Sequence, residues 1–305
     1  MQQPHDKIHI FDRSLLRLRR ARAAARFAHY DFLHREVGDR LLDRLEDLNR
    51  RFPVAVDLES RQGLLPALLQ GRGHIETLIS CDLTPEMLPK ESPTTALLDP
   101  EFLPFREGSL DLVLSNLGLH WSNDLPGVLI QIRRALKPDG LLLASLLGGE
   151  TLAELRQCLA DAEIELFGGL SPRLSPVTDV RDAGALLQRA GFALPVVDSD
   201  KITVTYDNAF RLLEDVRGMA ESNLVFERVK HFTPRALFLR MAALYQERYS
   251  GPDGRITATF SIINLTAWGP ADSQQQPLKP GSGETSLTQL LGTEAPSFAL
   301  RDDQL

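Results

Sequence analysis

The chain has 305 residues, 43% hydrophobic and 25% charged, enough apolar material for one large α/β core with an accessory region. A formal net charge of −7 and a pI near 5.6 argue against a nucleic-acid partner, although Arg13, Arg17, Arg19, Arg20, Arg22 and Arg26 make the start locally basic. Cys81 and Cys158 have no paired spacing, which suits a reducing compartment and excludes a disulfide framework or a cysteine-based zinc site.

The N-terminus lacks an apolar signal core, and no later apolar run is long enough to span a bilayer, so a soluble, cytoplasmic protein is expected. Residues 1–50 read as a helical extension. Over residues 30–48, Phe32, Leu33, Val37, Leu41, Leu42 and Leu45 recur at intervals of three and four with charges between them, the pattern of an amphipathic helix.

From residue 51 strands alternate with helices. The expected strands are 54–58, 77–82, 95–99 and 110–115, and Asp57, Asp82 and Asp99 stand at the ends of the first three. A helix over 125–136 is stopped by Lys137-Pro138-Asp139-Gly140, and 141–147 is a continuous apolar strand buried on both faces. A helix over 150–167 leads into a Gly/Ser/Pro-rich loop at 168–176. Thr178 can cap the next helix and Gly191 can end it. Strands at 201–206 and 255–268 flank helical sequence over 209–249, an insertion of about residues 207–250 on the candidate substrate side. The main domain spans 51–268, and 269–305 offers so little to bury that most of it is expected to be disordered. This alternation implies a parallel, doubly wound α/β sheet.

The loop after the first strand, Asp57-Leu58-Glu59-Ser60-Arg61-Gln62-Gly63, lies where nucleotide-like cofactors sit in such sheets, yet it holds a single glycine. An iron site would need two histidines and a carboxylate. His34 and Glu36 lie two apart on a helix and face differently, whereas alternation places His74 and Glu76 on one strand face. No distal histidine completes either pair, so no metal is expected.

Several segments together resemble the class I S-adenosylmethionine-dependent methyltransferases: the acidic strand ends, Phe102-Leu103-Pro104-Phe105, Ser109-Leu110-Asp111-Leu112-Val113, Leu119-His120-Trp121 and Leu136-Lys137-Pro138-Asp139-Gly140. Others narrow the likeness: Phe11-Asp12-Arg13, Asp31-Phe32-Leu33 with Glu36-Val37-Gly38, Ser122-Asn123-Asp124-Leu125-Pro126, Gly148-Gly149-Glu150-Thr151-Leu152 and Gly218-Met219-Ala220-Glu221-Ser222-Asn223. These are similar to the mitochondrial complex I assembly factor with a methyltransferase fold and its bacterial relatives, over nearly the whole chain to about Trp268. The resemblance implies a Rossmann-like, seven-stranded sheet, S-adenosylmethionine as cofactor, a respiratory complex I subunit as protein partner, and a matrix location in a eukaryote. It also implies arginine hydroxylation, which that family is described as performing on such a subunit.

On that template Asp82, with Leu83 beside it, is placed to accept both ribose hydroxyls, and Asp99 to accept from the adenine amino group. Asn116 would face the methionine portion, and His120 and Trp121 would lie near the transferring group. Tyr30, Arg217, Glu221 and Asn223 are candidates for the substrate side. The family's Asp-Leu-Gly-x-Gly-x-Gly is matched by Asp57, Leu58 and Gly63, but Glu59 and Arg61 replace glycines that let backbone approach cofactor. Inward-facing, Arg61 would repel the sulfonium and Glu59 would attract it, and the two are able to pair and fill the site. Three readings follow: an S-adenosylmethionine-dependent methyltransferase or family-type arginine hydroxylase acting on a protein side chain, a malonyl-carrier-protein O-methyltransferase of biotin synthesis, and a non-catalytic binding or assembly factor.

Overall fold

A computed structural model describes residues 9–275. The first two helices, α1 (Arg13–Ala24) and α2 (Phe32–Glu46), precede β1 (Phe52–Leu58), α3 (Leu64–Leu69), β2 (Ile75–Asp82), β3 (Thr95–Leu97) and β4 (Leu110–Asn116). The chain continues through α4 (Leu125–Ala135), β5 (Leu136–Leu147), α5 (Ala153–Phe167), α6 (Val180–Arg189) and β6 (Ala193–Tyr206). It then forms α7 (Ala209–Gly218), α8 (Arg235–Tyr249) and β7 (Ile256–Trp268). The sheet has seven strands in the order β3-β2-β1-β4-β5-β7-β6.

Strands β1 to β5 pair in parallel, as alternation requires, but β7 runs antiparallel to both neighbours, so the sheet is mixed. The reason lies in the connection. The chain leaves β6 at Tyr206 and re-enters opposite it at Ile256, so β7 can only run back along β6.

Period-two alternation feeds two apolar layers. Val56, Val113 and Leu142 face Leu129 and Ile132 of α4, while Ala55, Leu112 and Leu141 face Leu41, Leu42 and Leu45 of α2. Helix α2 therefore covers the central sheet. Helix α1 is capped by Asp12, which accepts from Leu15 N at 2.9 Å. Its approach is set by backbone bonds from Asp12 N to Leu224 O and from Phe226 N to Ile10 O, each 2.8 Å, which tie the N-terminal segment to the insertion.

Several local expectations are corrected. The expected helical insertion over 209–249 holds two helices, and what differs is the irregular stretch over 219–234 left between them by Gly218, Asn223 and Pro234. Asp179, not Thr178, caps α6, accepting from Asp182 N at 2.8 Å, while Gly191 follows the helix at φ 82° as expected. The 137–140 segment is absorbed into β5, and β6 starts at Ala193 because its polar alternation still suits a sheet edge. His74 ends a 3-10 turn before β2 begins at Ile75, so it does not share a strand face with Glu76. Of the tail over 269–305, residues 276–305 lie outside the described part.

Candidate functional site: a closed cofactor loop

The loop between β1 and α3 follows a glycine path without the glycines. Glu59, Arg61, Gln62 and Gly63 have φ of 62°, 48°, 64° and 80°. A left-handed backbone costs about 1–2 kcal/mol for a residue with a Cβ. Backbone bonds hold it in place, from Ser60 N to Cys81 O at 2.7 Å and from Gln62 N to Met87 O at 2.5 Å.

That path turns Glu59 and Arg61 inward, where they are 2% and 3% exposed. They do not pair with each other. Glu59 takes Arg20 of α1, Oε1 to Nη1 at 2.7 Å, and its carboxylate fills the space beside Gly118, whose missing Cβ would lie 1.6 Å from Oε2. Arg61 reaches the other way. Its Nη2 donates to Glu221 Oε1 at 2.8 Å and Leu117 O at 3.0 Å, and its Nη1 to Met219 O at 3.1 Å. Glu221 Oε2 accepts from Trp121 Nε1 at 2.8 Å and pairs with His120 Nε2 at 3.1 Å. His34 Nε2 stands 3.7 Å from Oε1.

Burial and charge act together here. Burial works against the Glu221 carboxylate, but the Arg61 guanidinium, the hydrogen bond of His120 and the nearby His34 ring outweigh it and hold Glu221 well below the usual carboxylate range. Burial, reinforced by Arg61, pushes His34 down to about 4. Burial, with the Asp82 and Glu59 carboxylates nearby, raises Asp57 well above its ordinary value. His34 and His120 converge on Glu221, yet among the described residues no group of three or more His, Cys, Asp or Glu is placed to hold a metal, and Arg61 brings its own cation to that carboxylate.

The remaining gap, lined in part by His34, Asp57, Glu59, Arg61, Leu65 and Asn116, has no room even for a water. Cofactor pockets run to about 300–1,000 Å³. With Glu59 and Arg61 where they lie, the residues present do not fit S-adenosylmethionine.

The acceptors expected to hold the cofactor are also engaged. Asp82, fully buried, accepts from Leu83 N at 2.7 Å and Thr84 N at 3.3 Å through Oδ1 and from Arg61 N at 3.2 Å through Oδ2. Leu83 itself packs with Phe11, Leu16 and Trp121. Asp99 lies two residues beyond β3 and is ion-paired with Arg13, whose Nη1 also donates to Trp121 O at 3.2 Å. Asn116 braces helix to sheet, donating to His34 O at 2.8 Å and accepting from Ser145 Oγ at 3.1 Å.

Thus Asp57, Glu59, Gly63, Asp82, Asn116, His120, Trp121 and Glu221 meet at the C-terminal ends of the strands. The other substrate-side candidates do not join them. Arg217 is exposed on α7, and Asn223 shapes its loop by donating to Pro172 O at 2.7 Å. Tyr30 packs its ring on Gly218 and lines a separate cleft of about 440 Å³ with Tyr206, Asp207 and Arg211. Sequence reading missed Arg13, Arg20 and His34 as site residues. For Arg20 a signal existed, since it shares the i, i+4 face of Leu16 and Ala24, where an arginine needs a buried partner.

A methyltransferase-domain family matches residues 56–144. The protein named arginine-hydroxylase NDUFAF5, mitochondrial, from Danio rerio is 40% identical over 290 residues, covering 93% of this chain and 90% of that protein. The chain belongs to the class I S-adenosylmethionine-dependent methyltransferase family, in its NDUFAF5 branch. A malonyl-[acyl-carrier protein] O-methyltransferase of Laribacter hongkongensis is more distant, 34% identical over 287 residues and covering 88% of this chain and 94% of that one. Among solved structures, the YcgJ protein of Bacillus subtilis shares the fold, with a TM-score of 0.54 at 14% identity over 76% of this chain and 99% of that one. Among the described residues no helix is long and apolar enough to cross a membrane.

Proposed function

We propose that this NDUFAF5-branch protein is a protein-directed factor that engages an arginine-bearing segment of a respiratory complex I subunit and does not retain S-adenosylmethionine as a resident cofactor. Kinship with arginine hydroxylases supports the protein partner, and the relatives' mitochondrial naming supports a matrix-type compartment or its bacterial counterpart, the cytoplasm. The single observation that carries the reading is the closure of the cofactor loop. Glu59 and Arg61 occupy the space the missing glycines would leave, each locked in a buried ion pair with a distant element.

A second reading, methyl transfer from S-adenosylmethionine to a protein side chain, is supported by the family domain and by two retained features. Asp82 still ends β2 with its carboxylate oriented by backbone N–H groups, and Gly63 keeps φ at 80°. In that reading Glu59 and Arg61 must swing out to admit cofactor.

Calorimetric titration with S-adenosylmethionine and S-adenosylhomocysteine separates the two. The natural chain is expected to show no binding, while a Glu59→Gly, Arg61→Gly variant regains it at about micromolar Kd. Micromolar binding by the natural chain would refute the closed-loop reading and direct attention to methyl transfer.

A further inference from the structure

Away from the loop, the end of β6 opens onto the cleft of about 440 Å³, a size within the range of small-molecule sites. Its walls come from parts far apart in the chain: Tyr30 between α1 and α2, Tyr206 with Arg211 and Asp215 of α7, and Arg255 just before β7. Most of their polar groups are already engaged. Arg255 donates to Asp207 Oδ1 at 2.5 Å and to Thr205 O at 2.8 Å, and Arg211 Nη1 donates to Glu214 Oε2 at 2.9 Å. The Tyr30 hydroxyl accepts from Arg26 Nη2 at 2.7 Å and donates to Glu214 Oε1 at 3.1 Å.

Two groups are left over. Tyr206 is 7% exposed, and its hydroxyl is buried without a hydrogen-bond partner. Asp215 lies close enough for its charge to add to the burial that pushes the Tyr206 phenol up, yet the two share no hydrogen bond of good geometry. Among the described residues no cation pairs with Asp215, the exposed His29 that also lines the cleft included. Burial, with Glu214 alongside, accordingly raises Asp215 above its ordinary value against the opposing pull of Tyr206 and Arg211. Once Asp207 is matched with Arg255 and Glu214 with Arg211, the cleft holds one carboxylate in excess.

We infer that this cleft is a binding site for a small aliphatic amine, whose ammonium group pairs with Asp215 and donates to the Tyr206 hydroxyl. A primary ammonium has three donors and no acceptor, which is what a spare carboxylate beside an unpartnered hydroxyl lacks. A neutral ligand would leave the excess carboxylate unmatched. A metal cation does not meet the need, because among the described residues no group of three or more His, Cys, Asp or Glu is placed to hold one.

The test is calorimetric titration of the full chain, in a buffer free of amines, with n-butylamine and with 1-butanol as its neutral analogue. The natural chain is expected to bind n-butylamine with a Kd of about 1 mM or tighter, and at least about tenfold more tightly than 1-butanol. Asp215→Asn should weaken amine binding by about tenfold or more, and Tyr206→Phe by about threefold or more. Asp43→Asn, which removes the same charge from an exposed position at the far end of α2, should leave it unchanged. No preference for the amine, a preference that survives Asp215→Asn, or an equal loss in Asp43→Asn would overturn the inference. Should Asp215→Asn fail to fold, the natural chain still decides: about 50 mM n-butylammonium chloride must raise its Tm where sodium chloride at the same concentration does not, by the mass action of a ligand that binds the folded state alone. These readouts involve neither Glu59, Arg61 nor S-adenosylmethionine, so they fail or succeed separately from the closed-loop titration.

Discussion

Replacing Glu221 by glutamine removes one charge from a site where Arg61 and Glu221 side chains are 2% and 6% exposed and 2.8 Å apart. The glutamine oxygen can still serve Trp121 or His120, but no anion then faces Arg61. Breaking a buried pair from one side costs about 3–5 kcal/mol, because a charge stays buried without its counterpart. For a domain of this size that is a fall in Tm of about 6–20 °C. Urea denaturation is the assay of choice, since guanidinium would itself compete with Arg61 for Glu221. The control is Arg61→Met, which removes the cation but keeps much of the volume. In that background Glu221→Gln should cost far less, giving a coupling energy of about 2 kcal/mol or more. Additivity within about 0.5 kcal/mol would show that the two side chains do not form the buried pair described, and the closed-loop argument would lose its main support.

Two further outcomes follow from the same site. His34 is neutral when folded, with its pKa pushed down to about 4 from 6.5, so only the unfolded chain takes up its proton between those values. Stability that is full above about pH 6.5 is therefore lost as pH falls toward about 4, by up to about 3 kcal/mol, and His34→Phe should flatten that part of the pH–Tm curve; an unchanged slope would place the titration elsewhere. Gly118→Ala would put a Cβ 1.6 Å from Glu59 Oε2 and 2.4 Å from its Cδ, so it should lower stability by about 1–3 kcal/mol in the natural chain. In a Glu59→Gly background the penalty should vanish, and equal penalties in both would mean that Glu59 does not occupy that space.

Hydrophobic periodicity was enough to place the strands that build the sheet, because parallel strands covered on both faces read as apolar runs whatever their neighbours. It failed where the signal is longer-ranged. Nothing local distinguishes a last strand that returns beside β6 from another parallel one, and helical sequence over 209–249 does not by itself fix where α7 ends and α8 begins. The candidate site divides in the same way. Asp57, Asp82 and His120 were legible from strand ends and motif. Asp99 and Asn116 were named in the same way, but their partners are ones that only folding could provide, Arg13 for one and the His34 carbonyl for the other.

By itself the sequence determined the family, the alternating α/β order, and the loss of glycine at the loop after β1. It also showed that two opposite charges stand there, able either to face the cofactor or to pair with each other. Only the tertiary structure decided their fate. The left-handed loop points side chains two residues apart in different directions, and the union of residues 10–12 with 224–226 brings Arg20 to one and Glu221 to the other. Arg61 and Glu221 are 160 positions apart. No periodicity or motif spans that distance, because a buried ion pair is chosen by which elements meet in space and not by what stands next in the chain.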